Sequence, residues 1–399
     1  MPESTTFPPK RHRFGGQAEY ERLRERGTIT KVPTIDGGVT WWATGRGDVK
    51  AILADPRFSS NRRNPGFPLM LRDPEVREQN RNQPPMMISM DGAEHAAARR
   101  AVIGEFTVKR LAGLRPRVQE IVDRFVDEML ATESRTADLV AALSLPVPSL
   151  VICEVLGVPY ADHDFFQERS AKVLSRTISA AERQGAVDDL RGYFDRLLTL
   201  KETEPGDDLL SRQIEKQRAE GALDHEYMIG VALLLLIAGH ETTANMISVS
   251  VVGLLENPAQ LAAIRADPAK IPMAVEESLR YFSIADPIPR VATEDVEVGG
   301  VTIKAGDGII ASGYAANFDP GAVADPASLD VGRGNRSHVA FGYGPHQCLG
   351  QNLARQELEI VFGTLFRRIP GLKLGIPVEE IPFKVDGAVY GIHELPVSW

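Results

Sequence analysis

The chain has 399 residues, with apolar residues at 43% and charged residues at 25%, close to the soluble globular average. That composition supports a sizeable core without disulfides or structural metals. Lys plus Arg number 45 against 54 Asp plus Glu, a net charge of −9. This argues against a general nucleic-acid binder, which needs excess basic charge to neutralise phosphates. The two cysteines, Cys153 and Cys348, are too few for a disulfide framework or a multi-cysteine zinc or iron–sulfur centre.

Residues 1–15 are polar and basic and lack the apolar run of a secretory signal or anchor, so the expected compartment is the cytoplasm. Residues 17–26 read as a short helix, followed by β-rich pieces at 30–33 and 40–44 and a helix at 48–54. Residues 60–91 carry several Pro, Asn and Arg with few periodic apolar positions. A loop of that length between ordered segments reads as a lid or an entrance. From 94 to about 217 the pattern is helical, with breaks near Pro146/Pro148, Pro159 and Pro205-Gly206. Cys153 lies in an apolar run here and reads as a small buried hydrophobe on a helix.

A long helix is expected from Asp224, its N-cap, to Leu255, ending before Asn257-Pro258. Its apolar part, 227–239, is shorter than the roughly 20 residues needed to cross a bilayer. It therefore reads as a buried core helix, with no membrane partner expected. Residues 269–281 form another helix, and 295–303 alternate and turn at Gly299-Gly300 like a hairpin. A last long helix covers 351–368, before Pro- and Val-rich C-terminal strands. No repeat or low-complexity linker divides the chain. The expectation is mainly α with a smaller β region, in one domain spanning 1–399.

The strongest local signal is Phe341-Gly342-Tyr343-Gly344-Pro345-His346-Gln347-Cys348-Leu349-Gly350, immediately before a helix. Two alternate glycines permit backbone conformations other residues resist, so such a loop lets a planar cofactor approach. A cysteine at a helix start meets free N–H groups and the positive dipole end, which favour a thiolate. An axial thiolate on haem iron promotes O–O cleavage. A bare cysteine here would read as a buried helix cap, but many positions of this segment fit the thiolate reading together.

Three further constellations accompany it. Ala238-Gly239-His240-Glu241-Thr242-Thr243 lies mid-helix, where Gly239 costs about 1 kcal/mol relative to Ala and suggests close cofactor approach. Thr242 has the geometry to bond back to a carbonyl one turn earlier, while His240 reads as structural. Glu277 and Arg280 share a helix face, a pair worth little at a surface. His95 and Arg99 project from one helical face, an arrangement suited to an anionic carboxylate.

The Phe341–Gly350 segment resembles the haem-binding signature of the cytochromes P-450, and Gln351-Asn352-Leu353-Ala354-Arg355 continues the resemblance. Pro345 is a mild departure that touches packing near the haem. The other constellations resemble, in order, the family's oxygen-activation motif, its E-x-x-R motif and its propionate binders, so the likeness spans essentially the whole chain. It implies the cytochrome P-450 fold, a haem b cofactor with O2 as co-substrate, and Cys348 as the axial iron ligand. Phe341, Gly342, Gly350 and Ala238 would line the haem, and His95, Arg99, Arg290 and His346 would bind its propionates. Gly239, Glu241 and Thr242 would serve oxygen activation, Glu241 relaying protons. Glu277 and Arg280, completed by Arg333, would form a buried structural triad.

The resemblance further implies a monooxygenase acting on a lipophilic small molecule, closest to actinobacterial enzymes that hydroxylate secosteroids, macrolides and xenobiotics. Its pocket would be lined by Met86, Met87 and Ile88, by Leu234, by Ile284 and Ile288, and by Val389 with Tyr390. With no reductase segment in the chain, electrons would come from a ferredoxin or flavodoxin with its reductase, docking on a basic patch that includes Arg100, Arg110 and Arg355. A peroxygenase that uses hydrogen peroxide directly is disfavoured by the Glu241-Thr242 pair. A non-catalytic haem sensor or binding protein is disfavoured because no segment is left over as an output domain.

Overall fold

The computed structural model describes residues 6–9, 11, 18–385 and 387–399. Helices dominate, and the longest, His225–Leu255, runs through the middle of the chain's packing, with Asp224 accepting the Tyr227 N–H at its start. Most of its residues are buried, because it is apolar on all sides rather than along one stripe. It packs against Pro146–Leu156, Ala180–Thr203 and Ile271–Phe282. Among the described residues it alone is long and apolar enough to cross a membrane, and 61% of its most apolar window is buried inside the protein.

Five strands form the main sheet, in the order Ile29–Pro33, Val39–Ala43, Gly308–Ala311, Ile288–Ala292, Phe58–Ser59. All pairs are antiparallel except Val39–Ala43 with Gly308–Ala311. A small core of Val49, Ile52, Phe58, Val296 and Ile309 packs beside this sheet, and a larger one surrounds the central helix. The hairpin expected at 295–303 is the pair Val296–Val298 and Val301–Ile303. The C-terminal strand Pro396–Ser398 pairs with Thr136–Asp138, a strand inside the stretch expected to be helical.

Three expected helices appear as Ala18–Glu25, Arg46–Ala54 and Ile271–Phe282, and the last long helix is Gln351–Arg368. Residue 17 and most of residues 1–15 lie outside the described residues. The segment 60–91, irregular by its sequence pattern, contains the helix Pro74–Asn82 and a turn of 3-10 helix at Met87–Ser89. The start of that helix is encoded locally. Asp73 caps the N–H groups of Glu75 and Val76, and Pro74 occupies the first turn where its missing N–H costs nothing. Its polar surface, with Val76 as its one buried residue, leaves no apolar period to reveal it.

Candidate functional site

The loop that carries Cys348 is closed by three backbone bonds: Gly342 N–H to Val339, Gln347 N–H to Gly344, and Cys348 N–H to Phe341. Gly344 has a φ of +72°, and a Cβ there would lie 2.5 Å from the Leu53 carbonyl oxygen. No other residue fits that contact with the Arg46–Ala54 helix. A Cβ on Gly342 or Gly350 would meet nothing within 4 Å, so those two positions leave open space beside the cysteine. Phe341 lies beneath the Arg355 guanidinium, 4.6 Å from ring centre to carbon.

Cys348 is accessible at its surface yet set deep among protein atoms, where burial pushes its thiol up. The two observations agree if the sulfur faces an internal cleft rather than bulk water. The Gly350 N–H and the charges of Arg99 and Arg355 act against burial and favour the thiolate.

Four of the expected propionate binders converge here. The His95 and His346 rings stack with centroids 3.9 Å apart. Burial, with Arg290, His95 and Arg99 nearby, pushes His346 down to about 3, and burial and Arg99 lower His95. Burial also depresses Arg290 to about 10, and Asp91 is the carboxylate that opposes this. Asp91 is itself engaged by the Ser59 hydroxyl and the Ser60 N–H. Arg290 donates to its neighbour's carbonyl, Pro289 O, at 2.7 Å. A buried cluster of positive and polarised groups short of anions is electrostatically incomplete. A thiol, an open glycine-lined face and a basic cluster short of counter-charge fit a haem with its two carboxylates.

On the central helix, Ala238 is exposed and Leu234, Ile237, Gly239 and Thr242 around it are half-buried, while the rest of these turns is buried, so this stretch also borders an internal cleft. The Thr242 hydroxyl donates to the Ala238 carbonyl at 2.7 Å, the back-bond that its position in the sequence predicts. Gly239 has a packing reason: a Cβ there would lie 2.7 Å from the Ile152 side chain. Close helix contact accounts for the glycine without a cofactor. Burial opposes ionisation of Glu241, but Lys384, whose Nζ donates to Oε1 at 2.7 Å, and Asn245 hold its carboxyl below the usual range. His240 is buried, its Nδ1 2.7 Å from the Leu236 carbonyl oxygen.

The structure brings Glu277, Arg280 and Arg333 together in the core. All five N–H donors of Arg280 are used. Two reach Glu277, each at 2.8 Å, and three reach the carbonyls of Asn317, Pro326 and Ser328. Arg333 Nε donates to Glu277 at 3.2 Å.

A second cluster is one that the sequence pattern does not reveal. Glu276, 2% exposed, accepts from Arg355 at 2.6 and 3.1 Å and contacts His338 at 2.9 Å and Arg336 at 3.3 Å. Burial raises its carboxyl, but His338 and Arg355 outweigh that and bring it to about 2. Burial keeps His338 low, hence neutral, so its contact is a hydrogen bond, and Arg355 with Arg336 supplies the charge. Arg355 therefore does not belong to an exposed basic patch, contrary to the expectation from sequence. Arg110 is exposed but lies 3.3 Å from Glu105 and 3.7 Å from Asp207. Arg100 remains exposed.

A cavity of about 380 Å³ lies beside the central helix. Met86 and Met87 line it, together with Gly230, Leu233 and Ile237. Leu234, Ile284, Ile288 and Val389 are not on its wall, and Ile88 is 55% exposed.

A family model described as Cytochrome P450 matches residues 182–370. Pentalenic acid synthase of Streptomyces avermitilis is 48% identical, covering 100% of this chain and 97% of that protein. Vitamin D3 dihydroxylase of Streptomyces griseolus is also 48% identical, over 95% of this chain and 93% of that protein. The crystal structure of cytochrome P450 MoxA from Nonomuraea recticatena superposes with a TM-score of 0.92 at 61% identity, covering 99% of this chain and 98% of that one.

Proposed function

This chain belongs to the cytochrome P450 family of haem-dependent monooxygenases, and on that premise we propose that it inserts one oxygen atom of O2 into a C–H bond of a lipophilic secondary metabolite, and that the Cys348 sulfur would hold the iron of haem b. The whole span 1–399 serves this one activity. The observation that carries the reading is Cys348, deep yet accessible, beside a group of basic side chains with Asp91 as the one carboxylate acting on Arg290. The substrate class is supported by relatives that act on vitamin D3, make pentalenic acid, or hydroxylate the methyl group of mycinamicin VIII.

When bound, haem supplies O2 activation and the oxidising power for C–H cleavage. The residues do the rest. Gly350 N–H and the fields of Arg99 and Arg355 favour the ionised Cys348 sulfur against the burial that raises its thiol. Arg99, Arg290 and the neutral His95 and His346 rings would hold the two haem carboxylates by charge and hydrogen bonds. Thr242 positions a hydroxyl in the cleft through its bond to Ala238. Lys384 and Asn245 fix the Glu241 carboxylate through Oε1, so the proton it relays would be carried on the other oxygen, Oε2.

Thr242→Ala is expected to lower the fraction of electrons that end in hydroxylated product, with a smaller effect on electron consumption. Product formed per NAD(P)H consumed, measured with a reconstituted reductase system, checks this. Unchanged coupling would remove Thr242 from proton delivery. Electrons are proposed to come from a ferredoxin or flavodoxin with its reductase. Arg100→Glu is then expected to slow ferredoxin-driven turnover several-fold at low salt and to flatten its dependence on ionic strength. A rate unaltered at every salt concentration would remove Arg100 from the docking surface.

A further inference from the structure

The lining of the cavity beside the central helix combines two unlike sets of residues. The apolar part includes Leu233 and Ile237 of the central helix, and Pro287. The segment around 62–87 and the helix Ala180–Thr203, with the residues before it, contribute Arg62, Arg176, Arg183 and Arg191 to the lining. Glu226 is the one carboxylate lining this cavity, and it is taken by Arg191.

Arg62 donates to the Asn80 side-chain oxygen at 3.0 Å and pairs with no carboxylate among the described residues. Arg183 donates to the Val173 and Ser175 carbonyls, and its Nε is buried with no partner. Burial lowers both guanidinium groups, and Arg176 adds repulsion at Arg183. Guanidinium groups short of carboxylates in a low-dielectric wall are stabilised by an incoming anion. Their forked donors match a carboxylate. Glu226 and Ile237 are eleven residues apart on one helix, or about 16 Å along its axis. A guest held at the arginines therefore has room to extend a hydrocarbon body towards the Thr242 stretch. A volume of about 380 Å³ is at the small end of ligand pockets, which suits a compact acid better than a full macrolide.

We propose that this cavity selects a lipophilic carboxylic acid, its carboxylate held by Arg62 and Arg183 and its hydrocarbon body laid against Leu233, Ile237 and Pro287. The inference rests on the monooxygenase reading above and narrows its substrate class. Binding is through ionic hydrogen bonds, with no covalent step.

Isothermal titration calorimetry of the haem-loaded protein tests it, with abietic acid against its methyl ester and dodecanoic acid against its methyl ester. The acid is expected to bind roughly tenfold or more tightly than the ester in at least one pair. Arg62→Gln should bring that ratio towards one, while Arg62→Lys retains part of it. Arg183→Gln is a second probe, checked by melting because that side chain also caps two carbonyls. Equal or weaker binding of both acids, no binding of any of the four, or a preference that survives both Gln variants would overturn the proposal. A protein with a thiolate-type Soret band and no acid preference fails this inference alone. A protein without that band fails the reading beneath it.

Discussion

Cys348→Ser is expected to reduce turnover to the level of haem-free controls while leaving the fold and part of the haem binding intact. A serine hydroxyl is not ionised at neutral pH and cannot supply the electron density that a thiolate gives to haem iron. The neighbouring basic groups His95, Arg99, Arg290 and His346 remain to hold the carboxylates, so haem retention falls less than activity. Cys153→Ser is the control. That thiol is buried and pushed up to about 12, so it is un-ionised and serves as packing. Product formation and the haem-to-protein ratio check both variants. Wild-type turnover in Cys348→Ser would remove the sulfur from the mechanism.

Glu277→Ala is expected to be the most destabilising single change in the core. It leaves Arg280, 1% exposed, as a buried charge with two of its five donors unmatched, and it also removes the partner of Arg333 Nε and the Asp330 N–H. Breaking a buried ion pair in this way costs roughly 3–5 kcal/mol. For a chain of this size that corresponds to a Tm lower by about 4–6 °C. Scanning calorimetry of the haem-loaded protein reads the shift, with Glu294→Ala as a surface comparison, since Arg57 lies 3.6 Å from that exposed carboxylate. A Tm within a degree of wild type would mean the triad contributes nothing.

The legible parts of the site are those whose chemistry is local in the chain. The glycines, His346 and Cys348 sit within one decapeptide, and Glu277 and Arg280 are three residues apart, so spacing alone juxtaposes them. The Glu276–His338–Arg355 cluster is hidden in the sequence because its members are 62 and 79 residues apart. A second glutamate beside Glu277, on the helix Ile271–Phe282, is the one local signal of it. Arg355 departs from expectation for the same reason, since an isolated arginine reads as a surface charge until its carboxylate is seen.

The pocket wall is illegible for a different reason. Leu233 lines the cavity and Leu234 does not, because a helix apolar on every side carries no polar stripe to fix its rotation. Gly239 suggests cofactor approach when only its own helix is considered, whereas Ile152, 87 residues earlier in the chain, supplies a steric reason. The helix Pro74–Asn82 is masked by its polarity, although Asp73-Pro74 marks its start.

The optical spectrum of the purified ferric protein tests the central claim most directly. A Soret band of the thiolate-ligated type, absent from Cys348→Ser and retained in Cys153→Ser, is the result expected. Absence of a haem band after expression with haem supply, or a thiolate band that survives Cys348→Ser, would contradict it.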